Sequence, residues 1–180
     1  MLYRESKNFL TSDNIDFIEK TILGNNFPLY QMPHTVSDNY QDTLTHIILT
    51  RPEDSFTPRI RSAYYDPVIN IIKSFLKSLS ITDIKILRLA INFTYNNGFE
   101  KCTAHTDHDY DHLQLIIYLN DPLDKESKTV VLDKNKQIIK EIYPEKYKGV
   151  LFEGLSHYLH YPKKGNRIIL IATFEYGNNR

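Results

Sequence analysis

Two amphipathic helices followed by about eight short strands predict an α+β domain whose β part is a sandwich or barrel. Three observations carry this. Apolar residues recur at helical spacing in the first half of the chain. From Ile84 onward the pattern changes to alternation and short β-branched runs. Thirteen Tyr and nine Phe with no Trp give the aromatic-rich composition that strands favour.

In chain order, Ile15, Phe17, Ile18, Ile22 and Leu23 define a helix over Thr11 to Leu23, with Thr11, Ser12 or Asp13 as its cap and Gly24 as its stop. Phe27 to Met32 is a short apolar-aromatic strand candidate, and the polar stretch from Pro33 to Thr43 reads as a loop. Leu44 to Thr50 is rich in β-branched residues and predicts a strand. Arg51 to Ser62, with Pro52 and Pro58, predicts an exposed connection. The second helix opens with Asp66 as cap and Pro67 at its first position. Val68, Ile71, Ile72, Phe75, Leu76 and Leu79 give it a stripe suited to packing on a sheet. The run Ile86 to Tyr95 alternates and ends in the turn Asn96-Asn97-Gly98. Further strands are expected near Cys102 to His105, Leu113 to Leu119, Lys128 to Leu132, Gln137 to Ile142, Gly149 to Phe152, His157 to Tyr161 and Arg167 to Phe174.

The 180 residues suit one domain with a substantial core, helical support over about 11–80 and a β core over about 84–176. Lys plus Arg equals Asp plus Glu at 22 each. No global field therefore recruits nucleic acid or anionic membrane. Cys102 is the single cysteine and cannot form an internal disulfide. No apolar stretch approaches the roughly 20 residues that span a bilayer, and the N-terminal MLYRESKNFL lacks a signal-peptide core. A cytoplasmic setting is the expectation.

The chemistry concentrates in Tyr95 to Asn120, centred on His105-Thr106-Asp107. On an extended strand, residues two apart share a face, so this imidazole and carboxylate can grip one metal ion. His157, ten residues before Arg167, is the best third ligand. Two His and one carboxylate with open positions opposite is the arrangement of non-heme Fe(II) oxygenases. A His-x-Asp triplet alone is weak: seven His and 13 Asp give about one in every second random chain. Its context strengthens it, because a strongly β-forming run follows and a His and an Arg lie downstream at a fitting distance. Arg167 would be costly to bury unpaired and matches a carboxylate bidentately, although a surface Arg after the Lys163-Lys164-Gly165 turn is the bland alternative. Tyr118 and Tyr95 fit either a pocket or a satisfied core position.

Together these segments resemble the Fe(II)/2-oxoglutarate-dependent oxygenases, in particular the prolyl 4-hydroxylase-like branch and its small phage and marine-bacterial forms. The resemblance runs from about Phe27 to Phe174 through RLAINFTYNNG, His105-Thr106-Asp107, IIYLN, KTVVLD, VLFEGLSH and GNRIILIATF. It implies a double-stranded β-helix, a jelly-roll or cupin-like barrel, with the N-terminal helices bracing one sheet. It implies Fe(II) on His105, Asp107 and His157, and the far carboxylate of 2-oxoglutarate on Arg167, with Tyr118 assisting and Tyr95 lining the cosubstrate pocket. Where many relatives carry Gly-Gly before the KTVVLD strand, this chain has Glu126-Ser127. His160 competes with His157, but its distance to Arg167 is shorter than the family spacing. His108 and His112 belong to the pocket rim or to solvent.

The implied activity is hydroxylation of a C–H bond coupled to decarboxylation of 2-oxoglutarate to succinate and CO2, with O2 as oxidant and ascorbate as a conceivable auxiliary. A peptidyl proline is the leading substrate, and a free amino acid or small metabolite is the alternative. A cupin-like, non-catalytic metal-binding sensor is a rival from another class. Nucleophilic chemistry by Cys102 with a nearby His is the remotest reading.

Overall fold

The computed structural model describes residues 2–32, 43–82 and 84–175. Ten strands and two α-helices are present among them: β1 (Tyr3–Ser6), α1 (Ser12–Phe17), β2 (Tyr30–Met32), β3 (Thr43–Leu49), α2 (Tyr65–Ser78), β4 (Ile86–Tyr95), β5 (His112–Tyr118), β6 (Thr129–Leu132), β7 (Ile138–Ile142), β8 (Gly149–Glu153), β9 (His157–Leu159) and β10 (Asn166–Glu175). They form a seven-stranded sheet of order β1-β8-β5-β10-β4-β3-β2 and a three-stranded sheet of order β7-β6-β9. All the strand pairs are antiparallel. The two sheets face each other without closing into a barrel, which is the double-stranded β-helix the resemblance implies.

Period-2 alternation decides which residues meet which layer. Along β5, Leu113, Leu115 and Ile117 join Val68, Ile71, Ile72 and Phe75 of α2 in one apolar core. The intervening Ile116 and Tyr118 join Val131, Ile142, Val150, Phe152, Ile169 and Ile171 between the sheets. The same alternation on β10 turns Ile168, Leu170, Ala172 and Phe174 to the helices. Arg167, Ile169 and Ile171 then face a cavity between the sheets. Helix and sheet touch closely at Gly149, where a Cβ would stand 2.4 Å from the Phe75 ring.

Several boundaries differ from the sequence expectation. Thr11 caps α1 in a capping box with Asn14, but the helix changes at Ile18 to a π-helical turn that runs to Ile22. Helix α2 starts at Tyr65 with Tyr64 at the cap. Pro67 is thus inside the first turn rather than at its first position, and is tolerated because first-turn N–H groups have no intrahelical partner. The strand β1 was not anticipated; it pairs Tyr3 to Ser6 with β8. Cys102 to His105 is not a strand: isolated bridges, Lys101 with His160 and His105 with His157, are its backbone pairings. The expected loop from Pro33 lies, up to residue 42, outside the described residues, and Thr43 already belongs to β3. No helix among the described residues is long and apolar enough to cross a membrane.

Candidate active site

The cavity between the sheets is lined by His105, Asp107, His157 and Arg167, four of the six residues singled out from the sequence. His105 and His157 exchange both backbone hydrogen bonds, at 3.0 and 2.9 Å, which projects their side chains to the same side. Their ring centroids are 4.7 Å apart. Each ring is oriented from behind by its own turn: His105 Nδ1 donates to Thr103 O at 3.0 Å, and His157 Nδ1 to Leu155 O at 2.9 Å. A proton fixed on Nδ1 leaves the Nε2 lone pair of each imidazole available to a metal, since a carbonyl behind the ring sets the tautomer and orientation of a histidine ligand. Burial, reinforced by His105, pushes His157 down to about 4, so it is neutral at ordinary pH.

Asp107 follows in a bend rather than on a strand, so the same-face argument for the triplet does not apply to it. It reaches the cavity nonetheless, and it meets two cations there. Arg88 Nη1 lies 2.7 Å and Arg51 Nη2 3.1 Å from the same oxygen, Oδ1. Burial alone would raise the Asp107 pKa. Arg88, with Arg51 beside it, outweighs it and holds the carboxyl well below the usual carboxylate range. As the side chains lie, no three His, Cys, Asp or Glu among the described residues stand in place to hold a metal ion together. The donor chemistry nevertheless fits one: each imidazole, its Nδ1 proton held by a backbone carbonyl, presents Nε2, and both guanidinium bonds fall on Oδ1 of Asp107.

Arg167 is 1% exposed. Its Nη2 donates to Thr129 Oγ1 at 2.7 Å, while Nε and Nη1 are buried with no partner. A buried guanidinium with two unsatisfied N–H-bearing nitrogens beside a cavity is suited to an acidic ligand, because the unpaired charge is costly until an anion arrives. Tyr118 lies under this guanidinium, 5.3 Å from ring centroid to carbon, but its hydroxyl donates to Ile142 O at 3.2 Å and it does not line the cavity. Tyr95 does not line it either. It shares the strand phase of Phe93, 6.5 Å away between centroids, whereas Asn92 and Thr94 face inward. His160 opens on a different surface hollow, with Lys128 and Tyr161. His108 is held between Glu53 at 2.9 Å and Thr173 at 2.8 Å. Cys102 lines the cavity, but burial pushes its thiol up and its sulfur accepts the Leu159 N–H at 3.2 Å, which disfavours a nucleophilic role.

Among the lining residues that sequence reasoning did not single out are Arg51, Arg88 and Gln114. Arg51 was assigned to an exposed connection. For Arg88 and Gln114 a signal existed: each occupies the inward phase of its strand, where Asn92 and Ile116 also lie, and a polar side chain in that phase must either find a partner or face a ligand.

The fold and this cavity define the class: a double-stranded β-helix of the type seen in 2-oxoglutarate/Fe(II) oxygenases. Among solved structures, a 2OG-Fe(II) oxygenase family oxidoreductase from Burkholderia pseudomallei shares 13% identity at a TM-score of 0.74, covering 99% of this chain and 88% of that one. The viral collagen prolyl hydroxylase of Paramecium Bursaria Chlorella virus-1, as its 2OG complex, shares 17% at 0.57, covering 98% and 97%. A Pseudomonas putida prolyl-4-hydroxylase shares 12% at 0.58, covering 97% and 92%. At these identities the likeness is one of fold. No protein-family description and no curated protein matches the chain.

Proposed function

We propose that the protein is an Fe(II)- and 2-oxoglutarate-dependent dioxygenase that hydroxylates a C–H bond. The observation that carries this reading is one cavity holding both a pair of imidazoles with free Nε2 atoms and a buried arginine with unpaired donors. His105, Asp107 and His157 would hold Fe(II), and Arg167, seated on Thr129 and Tyr118, would bind the far carboxylate of 2-oxoglutarate. Iron bound there would supply the oxidative decarboxylation of 2-oxoglutarate by O2 to succinate and CO2, one atom of O2 going to succinate and the other to the substrate C–H bond. The chain's own residues do the rest. The Thr103 and Leu155 carbonyls aim the imidazoles, Arg88 and Arg51 keep Asp107 ionised, and the apolar pair Ile169 and Ile171 excludes water.

For the substrate, the likeness to prolyl hydroxylases favours a peptidyl proline. A free amino acid or small metabolite is favoured by the two guanidiniums that share the cavity with Asp107. The test is succinate formation from 2-oxoglutarate by the Fe(II)-loaded protein, scored with peptide and amino-acid pools. Absence of succinate, even uncoupled from substrate, would leave the cupin-like sensor as the better account.

A further inference from the structure

We infer that Arg51, Arg88 and Gln114 form a second recognition site in this cavity, and that it takes the carboxylate of an acidic substrate. The inference rests on the oxygenase reading and names the substrate class for it. Arg88 and Gln114 are both level with Thr173 of β10, one on each neighbouring strand. That level is six residues along β10 from Arg167, roughly 20 Å at strand spacing. One guanidinium cannot therefore serve both ends. Gln114 is completely buried, lines the cavity, and has neither its amide nitrogen nor its amide oxygen paired. Arg51 Nε is buried and unpaired as well. Such groups are costly to leave unsatisfied, so a polar partner is missing at this end of the cavity.

The sign of that partner follows from charge. Among the described residues that line the cavity, Arg51, Arg88 and Arg167 are opposed by the carboxylate of Asp107 alone, which leaves a surplus of two positive charges on these four side chains. A divalent metal ion and a dianionic cosubstrate cancel each other, so their arrival does not remove the surplus. Asp107 shows that the two guanidiniums can converge on a carboxylate oxygen, taking Oδ1 at 2.7 and 3.1 Å. Each guanidinium has five N–H donors, and each uses one on Asp107. A second carboxylate has donors available, and the Gln114 amide can read the polar group beside it. Arg51 is the outer member, its side chain about a third exposed at 34%, against 15% for Arg88.

The test uses acetate and its neutral isostere acetamide as probes on the Co(II)- and 2-oxoglutarate-loaded full chain under anaerobic conditions, read by the visible absorption of Co(II). Acetate is expected to shift the spectrum saturably and acetamide to leave it unchanged. Arg51→Met should weaken the acetate response about tenfold or more, in line with loss of a charge-assisted hydrogen bond. Arg88→Lys, which keeps the charge and loses the fork, should weaken it less, and serves if Arg51→Met does not fold. Equal responses to both probes, no response to acetate, or an acetate response unchanged in Arg51→Met would overturn the site. Failure of the oxygenase reading shows separately, as absence of any spectral change when 2-oxoglutarate is added to the Co(II) protein. The source of the carboxylate is resolved by titrating free amino acids and short acidic peptides in the same way, the tighter class being the substrate's.

Discussion

Arg167→Met separates what this arginine does for the fold from what it does for a ligand, because the two effects have opposite signs. In the ligand-free protein the guanidinium is 1% exposed, has one hydrogen bond to Thr129, and has two nitrogens unpaired. Methionine fills much of the same length without a buried charge. The variant is therefore expected to be at least as stable as the parent, since replacing a poorly compensated buried charge by an apolar group is commonly neutral or stabilising by about 1–4 kcal/mol. Binding of 2-oxoglutarate should change the other way. Two charge-assisted hydrogen bonds of about 1.5–3 kcal/mol each would be lost, which corresponds to a rise in Kd of roughly a hundredfold or more.

Thermal unfolding with Mn(II) reads both effects at once. At 2-oxoglutarate one hundred times Kd the parent gains about 2.7 kcal/mol, a shift of roughly 5–10 °C for a chain of this size. At that same concentration the variant, with Kd a hundredfold higher, gains only about 0.4 kcal/mol, or roughly 1 °C. A full shift in the variant would remove Arg167 from the cosubstrate site. A ligand-free variant weakened by several kcal/mol would make the arginine a structural cation and refute the argument from its unpaired nitrogens.

Asp107→Ala leaves Arg88 and Arg51 facing each other without their shared carboxylate. It should cost about 3–5 kcal/mol, read as a lower denaturant midpoint, and should abolish the anaerobic Fe(II)/2-oxoglutarate charge-transfer band; a band that persists would refute the metal triad. Acid should destabilise the metal-free protein. His157 in the fold sits near 4 against an ordinary 6.5, so its contribution is complete above about pH 6.5 and is lost as pH falls toward 4, about 3 kcal/mol in all. Asp107, held low, adds a loss of the same sign at lower pH. His157→Gln should flatten the slope between pH 6.5 and 4 in equilibrium unfolding, and an unaltered slope would assign it to other groups. Gly149→Ala drives a methyl into the fully buried Phe75 ring and should cost about 1–3 kcal/mol in thermal unfolding; an unchanged Tm would mean the helix can slide on the sheet.

Which parts of this molecule were legible in its sequence follows from how local each cause is. The stripe on α2 and the β-forming runs of β5 and β10 are set by neighbours within a few residues, and the helix and both strands are present as read. The position of Arg167 in the inward phase of β10 is local in the same sense. What was not legible depends on partners far along the chain. Asp107 is ordered by Arg88, 19 residues away, and Arg51, 56 residues away, not by a strand of its own. His105 is positioned through a two-residue bridge to His157. Tyr118 illustrates the limit most sharply. It stood out as the polar interruption of an apolar strand, yet Gln114, four residues earlier in the same phase, interrupts it too. The tyrosine hydroxyl finds Ile142 O and is satisfied by the fold; the glutamine amide finds nothing. Phase alone says that both point inward. Only the partner across the cavity separates a core residue from one that waits for a ligand, and by that criterion Gln114, not Tyr118, belongs with the arginines.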